Sequence, residues 1–400
     1  MLFRRTFALL LLPALLSAQA KTNDGPRLEI YGFVMTDFGF NFGQINPDWF
    51  DVMRPTQLPS FPNEFGRNGS IFAGVRQTRF GVKGSEPTRF GELKTHFEYD
   101  MFASGPEAGQ TTFRLRFAYG ELGHFGAGQT WSPFTDEDIL PTTLDYIGSD
   151  GLSEYRNVQV RWMPFQGETR VTIALERPNS TQNPGRLQDR TEIQNIFTRF
   201  QYPDVAGEFR WGGKPGYVKF AGIAGQTRLD DLLPNRFNFN QAVNRWGLNF
   251  TSNIKTGGKN VIKMGYVFGA GMENHMNDAP PVDIGPAPNL GNPTQPVKGK
   301  SLPFRGLTAF YTYFWNDRWN STTGYSQVVV DNSILQLPTD FHRGQYSIAN
   351  LLYTPSENII VGGEFQWGRR TNFADGFRYN DYKLQFSFKF DFDGVIVGKP

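Results

Sequence analysis

Nine basic side chains and one acidic segment hold most of the chemistry this sequence offers. Arg79, Lys83, Lys94, Arg114, Arg116, Arg161, Arg170, Arg245 and Lys263 each fall on the polar parity of a stretch in which polar and apolar residues alternate. The segment WSPFTDEDILPTTLDYIGSDGLSE, residues 131–154, carries Asp136, Glu137, Asp138, Asp145, Asp150 and Glu154 and no base. Guanidinium groups grip carboxylates through paired hydrogen bonds. That singles out Arg114 and Arg116, two residues apart and so on one face of a strand. Cations and carboxylates opposed across a water-filled passage set up a transverse field, strengthened by low-dielectric walls, in which carboxylates and zwitterions orient. The same arginines have a second use: pairing with Glu98, Asp100 and the acids at 136–138 to brace the fold. The residues alone leave both open.

Bond-making chemistry has no comparable pattern. Cysteine is absent, so thiolate nucleophiles, zinc thiolates and disulfides are excluded. His96, His124, His275 and His342 are scattered without metal-ligand spacing, and His96 is expected as an ordinary polar lining residue. GAGQT and GAGM lack the lysine and following helix of a phosphate loop. ENHMND offers acids and a histidine in a long loop where solvation is expected. The expectation is a protein that is no enzyme and has no cofactor or metal. Formal net charge is +2, and the two arginines of the leader described below account for it. The remainder is neutral, which gives no reason to expect nucleic acid as a partner.

Strands must position these residues. In DYKLQFSFKFDF, residues 381–392, Tyr382, Leu384, Phe386, Phe388, Phe390 and Phe392 take one face, while Asp381, Lys383, Gln385, Ser387, Lys389 and Asp391 take the other. ELKTHFEYDMF, residues 92–102, sets Leu93, Thr95, Phe97, Tyr99 and Met101 against Lys94, His96, Glu98 and Asp100. TFRLRFAYGEL sets Phe113, Leu115, Phe117 and Tyr119 against the two arginines. Further strands are expected near 28–40 and 71–83, at VIKMGYVFG and at IIVGGEFQWG. With 38 phenylalanines, 44 glycines and a mean hydropathy of −0.43, apolar surface is confined to alternate strand positions. That is the composition of a membrane-spanning barrel, with lipid outside and water within.

The connections strengthen this. Long ones, near 42–69, 103–111, 132–154, 178–202, 230–243, 272–303, 331–341 and 370–379, alternate with short ones such as GHFG, GGKPG and NDR. Eight long and seven short connections join about sixteen strands. The expected fold is therefore all-β, a transmembrane antiparallel up-and-down barrel with brief periplasmic turns and long outer loops. The third loop, acidic yet rich in Phe134, Ile139, Leu140, Leu144, Tyr146 and Ile147, is expected to fold into the lumen, placing Asp136, Glu137, Asp138 and Asp145 at a constriction. The sixth, rich in Pro, Asn and Gly, reads as an irregular lid. MLFRRTFALLLLPALLSAQA has the basic, apolar and small-residue regions of a secretory signal peptide. Residues 1–20 are thus expected to be removed and residues 21–400 to form one barrel domain, with DGVIVGKP either a tail or a continuation of the last strand.

RQTRFGVKG (76–84), GELKTHFEYDMF (91–102), FRLRFAYGELGHFGAGQTWSPFTDEDILPTTLDYIG (113–148), LLYTPSENIIVGGEFQWGRR (351–370) and LQFSFKF (384–390) together resemble the DcaP-like porins of Gram-negative bacteria. The resemblance implies a sixteen-stranded outer-membrane barrel, usually a homotrimer, that admits small negatively charged solutes such as dicarboxylates by passive diffusion. Outer-membrane lipid and small hydrophilic or anionic solutes are the implied partners. Arg114 and Arg116 lie in the matching block; no family motif assigns substrate contacts to the other bases. Only KTNDGPR stands between the leader and the first strand, so trimer contacts are expected from walls and loops. The acidic third loop keeps a general diffusion porin of mild cation preference as the alternative. An outer-membrane enzyme and a plugged structural barrel are the competitors from other classes.

Overall fold

Side-chain alternation fixes the architecture. The computed structural model describes residues 25–233 and 236–397; the leader read at residues 1–20 lies outside them. In chain order the strands are β1 (Arg27–Asn41), β2 (Ser70–Gly74), β3 (Arg79–Thr88), β4 (Gly91–Phe102), β5 (Thr111–Leu122), β6 (Phe125–Trp131) and β7 (Arg156–Phe165). Then come β8 (Arg170–Glu176), β9 (Ile196–Arg199), β10 (Asp204–Gly213), β11 (Gly216–Asp231), β12 (Gln241–Gly257), β13 (Asn260–Ala270), β14 (Ile284–Pro288) and β15 (Val297–Ser301). The last five are β16 (Pro303–Phe314), β17 (Trp319–Val330), β18 (Phe341–Ser356), β19 (Ile359–Asn372) and β20 (Arg378–Val397). No α-helix occurs among the described residues.

All barrel pairings are antiparallel, and β1 closes the ring on β20 from Arg27 opposite Val397 to Asn41 opposite Lys383. The barrel has sixteen staves. Two of them are interrupted: β2 and β3 pair with successive halves of β1, and β9 and β10 with successive parts of β11. The breaks fall at residues 75–78 and 200–203, which is why the second and eighth staves lack a continuous pattern. Closure leaves no sheet edge, as a wall surrounded by hydrocarbon requires. β20 runs on past Phe392 to Val397 in register with β1, so that segment is strand rather than tail.

Long and short connections sort by end as the sequence predicts, with long loops at one rim and two- to four-residue turns at the other. The sixth loop differs from expectation. It contains the β14–β15 hairpin, and Glu273, His275 and Asp278 of ENHMND are buried instead of solvated.

Orientation follows the pleat. Phe386 is 51% exposed on the outer face, whereas Lys383, Gln385 and Ser387 are at most 1% exposed on the inner one. Those three inner residues do not meet bulk water, because loops fill the lumen on the long-loop side. Leu58 and Met53 of the first loop pack on Tyr346 and Ile348 of β18. Phe134 of the third loop packs with Met272, Leu302, Phe304 and Val328. Burial of these apolar side chains against the inner wall, about 1.5–3 kcal/mol for each large one, is what holds the loops inside.

One parity reading fails. In β5 the register against β4 slips between Glu98–Phe117 and Tyr99–Leu115, leaving Arg116 without an opposite number. This bulge turns Arg116 and Phe117 inward in succession. Beyond it Tyr119 lines the lumen instead of facing lipid, and Phe117 stacks on His96 at 4.5 Å.

Candidate functional site

The third loop, residues 132–155, makes a circuit of the inner wall. It leaves β6 and docks first on β11 and β12, where Lys219 Nζ donates to Thr135 O at 2.6 Å and Asn249 Nδ2 to Phe134 O at 2.8 Å. Lys263 Nζ on β13 then donates to Leu140 O at 2.7 Å, and Asn350 Nδ2 on β18 to Thr142 O at 2.8 Å. On β19 the Glu364 carboxylate accepts from the backbone N–H groups of Leu144 at 2.8 Å and Asp145 at 3.0 Å. Tyr146 crosses to β4 and β5, and Gly151 N–H returns to Ser326 Oγ on β17 at 2.7 Å. Backbone carbonyls and N–H groups meet inward polar side chains all along the path, so the loop is bound where a bare apolar wall could not satisfy it.

Beneath this loop, on the short-turn side, lies a chamber of about 750 Å³. Thr130–Pro133, Thr135 and Glu137 roof it, and Lys83, Lys94, His96, Tyr119, Arg161, Arg170 and Lys219 are among its walls. Most of its bases have a partner. Arg170 and Lys219 share Glu208 at 3.1 and 2.5 Å, Lys83 lies 3.9 Å from Glu29, and Lys94 lies 3.4 Å from Glu92. Arg161 donates to Trp131 O at 2.5 Å and lies over the Tyr119 ring. The chamber is polar and mixed in charge; no single sign dominates its wall.

A second set of guanidinium groups gathers about Tyr146, Asp100 and Glu154, outside the chamber's lining. Arg114 grips Asp100 through two bonds of 3.0 and 2.7 Å. Arg116 donates to Glu98 at 2.5 Å and to Asp100 at 3.0 Å. Tyr146, stacked on Phe102 at 4.2 Å, donates to Asp100 at 2.7 Å and accepts from Arg116 at 2.7 Å. Arg79 lies 3.7 Å from Glu98. Arg156 pairs with Glu154 at 2.7 Å and lies over Trp131, which also lines the chamber. Arg54 of the first loop lies over Trp49 and 3.8 Å from Asp278. Burial alone would raise the Glu154 carboxyl; Arg156, Arg116, Arg114 and Arg54 together outweigh it and hold that carboxyl below its ordinary value.

Exposure separates the two arginines that the sequence groups together. The Arg114 side chain is 23% exposed and can meet a solute, whereas Arg116, at 4%, is enclosed between two carboxylates. The bracing use therefore describes Arg116, and both uses describe Arg114. Arg245 is directed inward but sealed by loops, paired with Asp204 at 2.7 Å, and lines no open space. The acids of the third loop form no free wall opposite the bases. Asp136 accepts from Tyr217 at 2.9 Å and from Thr251, Asp138 pairs with Arg210, and Asp145 is buried against Met53 N–H and Tyr346. Of the four acids expected there, Glu137 lines the chamber.

Arg54, Arg156, Lys219 and Arg210 escape the sequence reading. The first lies in a loop, and the second precedes the clean alternation of β7. Only proximity to the acidic third loop could have marked Arg156.

Residues 20–207 match the family model described as DcaP outer membrane protein. Among solved structures, the outer membrane channel DcaP of Acinetobacter baumannii matches with a TM-score of 0.75 at 19% identity, over 94% of this chain and 100% of that one. The anion-selective porin from Comamonas acidovorans matches with a TM-score of 0.57 at 10% identity, over 92% and 100%. The trimer form of OmpT, an outer membrane protein of Vibrio cholerae, matches with a TM-score of 0.52 at 14% identity, over 92% and 100%. No curated protein matches the chain significantly. At these identities the solved structures establish the fold.

Proposed function

We propose, for a chain that is a DcaP-like channel protein of the Gram-negative outer membrane, passive diffusion of small hydrophilic solutes with preference for anions, dicarboxylates among them. One observation carries the preference: Arg114 and Arg116 meet on Asp100 and Tyr146, and Arg156 pairs with Glu154 at 2.7 Å, whose carboxyl all three and Arg54 hold low. A carboxylate passing there exchanges water for guanidinium donors already oriented by Trp49, Trp131 and Tyr146. The chamber wall adds Lys83, Lys94 and Arg170 to the cations that a solute meets. The solved anion-selective porin shares the fold, which is compatible with this reading without requiring it. A homotrimer and removal of residues 1–20 on export belong to the same proposal; the family match begins at residue 20.

The alternative of mild cation preference rests on the acidic third loop. It is weakened because Asp136, Asp138 and Asp145 are each engaged by tyrosine, threonine, arginine or backbone donors.

Reversal potentials of reconstituted channels in a potassium chloride gradient test the reading. The wild type is expected to favour chloride, and Arg54→Glu with Arg114→Glu is expected to move selectivity toward potassium. A wild-type preference for potassium would overturn the anion claim. Absence of any conductance would make the protein a plugged barrel.

A further inference from the structure

On the outer wall at the loop-side rim, three arginines stand without a partner. Arg343 of β18, Arg369 of β19 and Arg378 of β20 lie on the outward parity, the one that Phe365, Phe386 and Phe388 occupy further down. The register makes them neighbours: Arg343 and Arg378 both stand opposite Thr371, one on each side, and Arg369 stands between Gln345 and Asn380. Antiparallel staves lie about 4.8 Å apart, so the outer two arginines are about 10 Å apart at the backbone. Two guanidiniums can close that gap on one anion. Among the described residues none of the three makes an ion pair within 4.0 Å or a hydrogen bond through its side chain, and Nε of Arg343 and of Arg369 is shielded from water with no acceptor there. Other arginines at the same rim are matched to acids: Arg305 to Asp331 at 3.0 Å, and Arg199 and Arg228 to Asp230.

Depth decides what would cover the patch. Immediately below it Trp367 and Tyr382 lie opposite one another, the aromatic level at which a barrel wall passes from hydrocarbon to headgroups, and phenylalanines follow beneath. The long loops mark the side that faces out of the cell. The patch thus sits at the headgroups of the outer leaflet, offering cations, amides and a hydroxyl, with no carboxylate on these outward positions.

We infer that Arg343, Arg369 and Arg378 form a docking site for the phosphorylated headgroup of an outer-leaflet glycolipid, its acyl chains lying on Trp367, Phe365 and the phenylalanines of β20. Guanidinium forks match phosphate oxygens in shape and charge, and the aromatic step below suits acyl chains. Such a lipid would seal the wall of β18–β20, the staves against which the first and third loops are docked from inside.

The experiment is lipid retention by the purified full-length channel in detergent, read by native mass spectrometry. The probes are a bis-phosphorylated lipid A-type glycolipid, its dephosphorylated counterpart and inorganic phosphate. The wild type is expected to retain the phosphorylated glycolipid. At about fivefold per cation, the triple variant R343Q/R369Q/R378Q should retain it on the order of a hundredfold more weakly while conducting as before. The dephosphorylated lipid should bind as weakly to the wild type, and millimolar phosphate should not displace the glycolipid. Equal retention by wild type and variant overturns the proposal. So does equal retention of the dephosphorylated lipid, or displacement by inorganic phosphate, which would make this a site for free anions. Dissociation of a wild-type oligomer in the triple variant would also overturn it, by assigning the patch to a second copy of the chain.

Discussion

Arg116 and Arg114 are two residues apart in sequence and differ in what they do. Arg116 is enclosed by Glu98, Asp100 and Tyr146, so its removal takes a cation from two buried carboxylates at once, leaving Glu98 with Tyr31 and Arg79 and Asp100 with Arg114 and Tyr146. Removing one partner from a buried carboxylate that keeps others costs about 1–3 kcal/mol. Arg116→Ala is therefore expected to lower the midpoint of denaturant unfolding in micelles by that free energy. Arg114→Ala, which leaves Asp100 its bonds to Arg116 and Tyr146, should cost less and act chiefly on selectivity. Equal destabilisation by the two would refute this division. Alternation told the sequence reading that both arginines point inward. It could not tell which would be enclosed, since that depends on a bulge at Arg116 and on Tyr146 arriving from a loop thirty residues away.

At the scale of elements, the third loop is the part most sensitive to conditions. Asp145 anchors it, accepting from Met53 N–H at 3.1 Å and Tyr346 Oη at 3.0 Å. Burial pushes the Asp145 carboxyl from 3.8 up to about 7, with Lys383 opposing and Glu364 adding to the rise. A carboxyl raised on folding stabilises the docked loop fully below its unfolded value. That contribution is lost as pH rises through the folded one. Docking should therefore be firmest near pH 4 and weaken as pH passes about 7. Burial likewise raises Asp150 and Asp278, deeper in the same loop contacts, so they act in the same direction. Single-channel recordings from acid to alkaline pH should show more frequent excursions to larger conductance on the alkaline side, and Asp145→Asn should flatten the trend. A wild-type trace indifferent to pH would remove Asp145 as a latch. The inward fold of this loop is legible in its apolar residues, and so is the parity of long and short connections. The route is not, because Asn249, Asn350 and Glu364, which fix it, look like any other inward polar residues until the barrel brings them together.

For the whole molecule one partition governs everything: side chains of one parity meet hydrocarbon, and those of the other meet water or docked loops. The partition was readable in β20 because no residue in 381–392 breaks it, and β1 completes it by pairing along its full length with the other end of the chain. It was weak at the eighth stave, where the strand itself is broken, and misled beyond Arg116, where a single extra residue exchanges the faces. Its cost can be measured. Phe386 sits mid-strand on β20, opposite Phe38 of β1 and Gly363 of β19, with its ring outward. A lysine there has no water and no acid within its own wall, and its four methylenes reach the interface only partly. Phe386→Lys should destabilise the folded barrel in bilayers by about 2–4 kcal/mol, and the same substitution at Phe392, nearer the short-turn rim, by about 0–1 kcal/mol. Reversible unfolding from lipid vesicles reads both values. A gradient between the two positions is the signature of hydrocarbon, since a protein-covered or aqueous surface would return similar numbers at each.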